Sequence, residues 1–200
     1  MHVFKSAVWC CAAVSLAACG AAEESPESEV LAQRAAALVT GTTQGCTFTL
    51  SSVSVPGAMP PRWDIVVTRA ASGTCAHAAG SVTLGTSYDP PYLALLANSY
   101  SVATAFSYKP TPSGSSMKRC QVNHVDPATL GRVRTDYLGV MYGTAHLHTC
   151  ALDQTDGGAT LVAYGTKDGP LPGEVGNRGN YVATYYDFFT STTPPVYYTY

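Results

Sequence analysis

The stretch Ser101-Val-Ala-Thr-Ala-Phe-Ser-Tyr108 decides the fold class. Val102, Thr104, Phe106 and Tyr108 fall on one side of an extended chain, and Ser101, Ala103, Ala105 and Ser107 on the other. That period of two is the signature of a β-strand. Tyr181–Phe188 alternates in the same way, with Val182, Thr184, Tyr186 and Phe188 sharing a face. Both stretches favour the β-branched and aromatic residues that suit a pleated surface.

The two stretches are part of a longer self-resemblance. Val82, Gly85, Thr86, Pro90, Val102, Ala103 and Thr104 recur, identical, 80 residues later as Val162, Gly165, Thr166, Pro170, Val182, Ala183 and Thr184. Upstream the offset falls to 74–75, where Trp63 meets Tyr137, Gly57 meets Gly131, and Thr74-Cys75 meets Thr149-Cys150. The spacing predicts two tandem copies, over 42–110 and 118–200, separated by a Pro/Gly/Ser-rich joint at 111–117.

Further alternation predicts strands at Cys46–Val55, Trp63–Thr68, Ser81–Gly85 and Tyr92–Leu96 in the first copy. The second copy offers Arg119–Val125, Arg132–Tyr142, Ala145–Cys150 and Ala159–Gly165. About ten short strands divided by turns imply an all-β fold, an antiparallel sandwich- or barrel-like body made from two copies of an about 70-residue module. The two sheet-rich halves are expected to pack closely.

The N-terminus carries an address. Met1–Lys5 is short and positive, and Ser6–Ala18 is apolar or small, the outline of an export signal too short to span a bilayer. It ends in Leu16-Ala17-Ala18-Cys19-Gly20, which resembles the lipobox of bacterial lipoproteins. The resemblance covers residues 1–19 and no more. It implies a signal peptide over 1–18 that is removed, and a Cys19 that becomes the first mature residue. That cysteine would carry a diacylglyceryl thioether and an N-linked acyl chain such as palmitate. Several chains on one residue anchor firmly, whereas one holds only marginally. In the enteric version of the family, Asp after the cysteine marks inner-membrane retention, so Gly20 points to the outer membrane. The competing reading is ordinary secretion with cleavage after Ala21 or Ala22. Cys10 and Cys11 would be lost with the signal in either case.

Residues 19–41 read as an acidic tether: Glu23, Glu24, Glu27 and Glu29 oppose only Arg34, and Pro26 interrupts local order. A short helix over Ser28–Leu38 is compatible with its alanines. From Thr42 onward nine Lys/Arg meet nine Asp/Glu, so the body is near neutral. Neither a nucleic-acid footprint nor a polybasic strip for anionic lipid is present.

Export places Cys46, Cys75, Cys120 and Cys150 in an oxidising compartment. Four cysteines allow three pairings. The repeat selects Cys46–Cys75 and Cys120–Cys150, spaced 29 and 30 residues apart. Each closed loop should stabilise by about 3–4 kcal/mol on a chain-entropy model. A Cys-rich metal site would need Cys-x-x-Cys spacing, which does not occur.

Chemistry-bearing motifs are few. His146-Leu147-His148 puts two imidazoles on one strand face, and His124 with Asp126 could complete a zinc-like set. The competing reading is a half-exposed strand with polar side chains outward and Leu147 inward. Gly-x-Ser-x-Gly is absent, and Pro112-Ser-Gly-Ser115 lies in the joint. No carboxylate pair is matched between the copies. Asp153-Gln-Thr-Asp156-Gly-Gly resembles part of a calcium loop but lacks its closing Glu, which favours a turn. All thirteen tyrosines lie at or after Tyr88 and crowd the C-terminus. Half of these should be core by alternation; the rest would form an exposed aromatic surface fit for contacts or sugar stacking.

These readings predict a lipid-anchored cell-envelope protein whose body is a non-enzymatic binding or structural module. Its expected partners are the membrane, through the anchor, and another envelope protein or a polysaccharide, with no cofactor besides the lipid. The alternative is a zinc-dependent extracytoplasmic hydrolase using His146 and His148.

Overall fold

The computed structural model describes residues 38–71, 73–140, 145–172, 174 and 178–199. The signal, Cys19 and all of the tether before Leu38 lie outside the described residues, as does the helix considered over Ser28–Leu38 except for Leu38 itself. Twelve strands form three antiparallel sheets of four. The first holds β1 (Leu38–Thr43), β2 (Cys46–Ser54), β3 (Trp63–Ala70) and β4 (Gly80–Ser87). The second holds β5 (Tyr92–Ala97), β6 (Val102–Tyr108), β7 (Arg119–Val125) and β8 (Arg132–Leu138). The third holds β9 (Ala151–Thr155), β10 (Thr160–Lys167), β11 (Gly179–Tyr185) and β12 (Val196–Thr199). Each sheet is a meander in which consecutive strands pair.

The second sheet is the middle layer, because it contributes to a core on each of its faces. Val102 and Phe106 of β6 and Val125 of β7 pack with Phe48, Leu50, Ile65, Val67 and Leu84 of the first sheet. Ala103 and Ala105, with Cys120 and Val122, pack with Leu161, Ala163, Tyr181, Ala183 and Tyr185 of the third. Seven-residue β6 is therefore buried along all but its last position. A strand buried on both faces still alternates, but between two apolar sets rather than between apolar and polar. That is why Ser101–Tyr108 reads as large residues on one side and small ones on the other.

Several expectations change. β1 begins at Leu38, inside the stretch read as tether, and pairs with β2 in register Leu38↔Ser51 to Thr43↔Cys46. The two-residue turn between them places Gln44 and Gly45 at φ 51° and 73°, the primed hairpin geometry that matches strand twist. A Gln-Gly turn lacks the Asn-Gly signal, so the hairpin is hard to see in advance. β8 stops at Leu138, short of the Tyr142 expected. Ala145–Cys150 is not a strand: only Leu147 bridges to Lys167. Ala151–Thr155 is strand β9, and only Asp156–Gly158 makes the tight turn.

The sheets are not divided at the joint. β6 and β7 pair from Val102↔Val125 to Tyr108↔Arg119, so the joint is a hairpin connection within the middle layer. Ala36–Tyr200 forms one compact unit. β4 and β10 lie at the expected 80-residue offset, yet β4 is an edge strand and β10 is interior, so strands matched in sequence take different neighbours.

Both disulfides form with the expected pairing, Cys46–Cys75 and Cys120–Cys150, with Cα separations of 4.4 and 5.7 Å. The first ties β2 to the loop after β3, within one layer. The second ties β7 to the segment leading into β9, across two layers.

Buried polar groups set how the layers meet. Arg69 of β3 donates to the carbonyls of Ala78, Pro127 and Ala128 at 2.6–2.8 Å, clasping the β7–β8 turn. Arg134 of β8 pairs with Asp136 at 2.6 Å and donates to the carbonyls of Ser191 and Thr193 at 2.7 Å. Its guanidinium also lies about 5 Å from the rings of Tyr185 and Phe188. Asn98 touches all three layers. Its carbonyl accepts from the Thr43 hydroxyl, its Oδ1 takes the amides of Tyr100 and Ser101, and its Nδ2 reaches Gln154 and Gly158.

Candidate binding cleft on the third sheet

One face of the third sheet packs on the middle layer and the other is open. Along β10 and β11, Leu161, Ala163, Tyr181, Ala183 and Tyr185 point inward and are fully buried. Their neighbours Tyr164, Thr166, Asn180 and Val182 must point outward, since successive side chains alternate. Register then lines up Ala151, Tyr164, Val182 and Tyr198 across all four strands. Tyr164, Tyr186 and Tyr198 are 42, 51 and 50 % exposed, so the C-terminal tyrosines divide between core and surface as alternation requires. Tyr186 and Tyr198 share a side-chain hydrogen bond, which raises the Tyr186 phenol pKa.

At the β10 end of this stripe a cleft of about 400 Å³ opens between Tyr164 and Tyr92, the first residue of β5. Its floor and walls include Thr149, Thr166, Asn180 and Tyr181. Tyr181 is buried, and its hydroxyl donates to the Thr149 carbonyl at 2.8 Å. Burial pushes that phenol well above its ordinary pKa, so it stays protonated. Thr149 Oγ1 accepts the Thr166 amide and lies 3.2 Å from Thr166 Oγ1. Gly165 lets the two segments close: a Cβ there would sit 2.2 Å from the Thr149 carbonyl oxygen. Among the described residues, no Asp, Glu, His, Lys or Arg lines the cleft.

His146 and His148 lie beside the cleft, with their rings 5.9 Å apart. Leu147 between them is buried, as expected, and its amide donates to Lys118. Asp168 is their common partner. It accepts from the His146 amide through Oδ1 and sits 3.1 Å from His148 Nε2 through Oδ2. Partial burial pushes the Asp168 carboxyl up, but the His146 amide and the nearby His148 outweigh it and leave the pKa lowered. His146 Nδ1 accepts the Lys118 amide at 2.9 Å, so that nitrogen is already in use.

His124 is not part of this group. It sits in the middle sheet, Nε2 at 2.9 Å from Ser101 Oγ, with Phe189 edge-on at 5.1 Å. Asp126 caps the turn after β7, accepting the amides of Ala128 and Thr129 and the Thr129 hydroxyl. The four residues considered for zinc thus fall into two places. Among the described residues no three His, Cys, Asp or Glu side chains are grouped to hold a metal ion. In the Asp153–Gly158 stretch, Asp156 accepts the Thr160 hydroxyl at 2.7 Å.

The cleft was not legible in the sequence. Tyr92 and Tyr164 each fall in a stretch expected to be a strand, but they belong to different sheets, and only layer packing brings them to one cleft. Comparison with protein-family models, curated proteins and solved structures returns no match. The functional reading therefore rests on this geometry and on the lipobox resemblance near the N-terminus.

Proposed function

We propose that the protein is an exported, lipid-anchored envelope protein whose β body is a non-enzymatic binding module. Its contact surface is the outer face of the third sheet, cleft and tyrosine stripe together. One observation carries this: tyrosines at mid-exposure, Tyr92, Tyr164, Tyr186 and Tyr198, gather on and around one sheet face beside a cleft without charge. Tyr combines a broad apolar face with a polar tip, which suits contacts made and broken in water. The anchor at Cys19, in the outer membrane by the Gly20 reading, rests on the lipobox resemblance. The body descends from two tandem copies, a reading supported by the matched disulfides and by the 80-residue offset between β4 and β10.

Two measurements test it. Metabolic labelling with radioactive palmitate should mark the chain and fail on Cys19→Ala; label that persists in the variant overturns the anchor. In the Cys19→Ala background, where lipid does not hold the chain, the protein should co-sediment with washed envelope. Tyr164→Ser/Tyr198→Ser should then leave it in the supernatant. Undiminished sedimentation of that variant would place the contact surface elsewhere.

A further inference from the structure

We infer that the cleft between Tyr92 and Tyr164 binds a neutral oligosaccharide segment, seating a pyranose ring against tyrosine faces. The inference rests on the binding-module reading and adds its ligand class. Four features lead to it. The cleft, at about 400 Å³, lies in the range of ligand sites and has room for a sugar ring. Its two exposed tyrosines, 43 and 42 % accessible, make no ring contact with each other and leave their faces to a ligand. A ring face is electron-rich, and the axial C–H groups of a pyranose carry the partial positive charge that complements it.

The polar lining is neutral and short. Thr149 and Thr166 contribute hydroxyls and Asn180 a planar amide, whose paired donor and acceptor match adjacent sugar hydroxyls. Asn180 makes no side-chain hydrogen bond within the described residues, so its amide is available to a ligand. With no acidic or basic residue among the described lining, nothing there offsets the desolvation of a charged ligand.

Backbone pairing along β10 leaves no free edge on that wall for a peptide strand. β-augmentation needs an edge with unpaired N–H and C=O groups. Tyr164 is instead paired on both sides, to Ala151 and Val182, and Thr166 is paired to Asn180. A stacked nucleotide would call for basic groups to meet its phosphate, and none lines the cleft.

The test is calorimetric titration of the detergent-purified full-length chain with cellohexaose, maltohexaose and chitohexaose, with hexagalacturonate as the anionic comparison. At least one neutral hexasaccharide should bind and hexagalacturonate should not. Tyr164→Ala and Tyr92→Ala should each weaken binding by about tenfold, the loss of one aromatic contact. Asn180→Ala should weaken it less, and Tyr137→Ala, at an exposed tyrosine of β8, should leave it unchanged. Silence with all three neutral probes, binding of hexagalacturonate alone, or undiminished binding in both tyrosine variants would overturn the inference. Envelope co-sedimentation that persists while the sugars stay silent would sink the sugar reading alone and leave the binding module standing.

Discussion

The two faces of the middle sheet solve the same burial problem in different ways. Toward the first sheet, β6 and β7 present Val102, Thr104, Phe106, Gln121, Asn123 and Val125. The polar members are linked: Gln121 Nε2 donates to the Leu84 carbonyl and to Asn123 Oδ1, Asn123 Nδ2 to Thr104, and Thr135 to Asn123. Toward the third sheet, the same strands present Ala103, Ala105, Cys120 and Val122, small residues under the bulk of Tyr181 and Tyr185. One interface has a polar network threaded through its middle; the other packs small residues closely, is covalently tied, and keeps its polar groups at one end, where His124 meets Ser101 and Arg134 meets Asp136. A single pair of strands thus meets one sheet through a central hydrogen-bond network and the other chiefly by shape.

The largest test of that contrast is a paired substitution in adjacent residues of β6. Phe106→Ala should remove about 3–5 kcal/mol by opening a cavity toward the first sheet. Ala105→Leu should cost about 1–3 kcal/mol by overpacking toward the third. Urea unfolding measures both, and the contrast fails if Ala105→Leu is neutral.

The disulfides come next. Their separations of 29 and 30 residues give the same loop entropy, so Cys46→Ser/Cys75→Ser and Cys120→Ser/Cys150→Ser should each cost about 3–4 kcal/mol. Hydrogen exchange should separate them. Losing Cys120–Cys150 should expose amides of β9 and β10, because that bridge alone crosses layers; losing Cys46–Cys75 should expose β2 and β3. Equal exposure patterns would break the distinction.

The smallest effect concerns pH. Burial pushes the His124 pKa below its ordinary 6.5; Asp126 opposes that and Arg134 reinforces it. A folded value below the unfolded one means that the unfolded chain takes the proton first. Stability from this site is therefore complete above about pH 6.5 and falls as pH drops through the folded value. Asp126 and Asp168 have lowered pKa values, so their contributions are complete above the ordinary carboxylate range and are lost as pH falls through that range to the folded values. His124→Phe should flatten the stability profile between neutral pH and about 5, and an unchanged slope there would assign the dependence to another group.

What could be read in advance followed from local rules. Period-two alternation located most of the strands, because a pleated chain must send successive side chains to opposite sides. β1 escaped because its turn is Gln-Gly, and β12 because a four-residue strand carries too little pattern. Ala145–Cys150 alternates as a strand should, but one bridge at Leu147 is all its neighbours provide. Alternation sorted Tyr181 and Tyr185 from Tyr186, yet could not say that Tyr92 would meet Tyr164 from another sheet. The His146 backbone amide and the His148 imidazole share a partner in Asp168, twenty residues beyond His148, which spacing alone does not reveal.

The amino-acid sequence by itself determined the all-β class and the disulfide pairing. Each depends on residue type and spacing along the chain. Only the tertiary structure decided that the sheets stack in three layers, that the joint lies within the middle one, and that two distant tyrosines wall a cleft. Those follow from which buried faces fit each other, and complementarity between faces is a property of pairs of surfaces that no single stretch of chain contains.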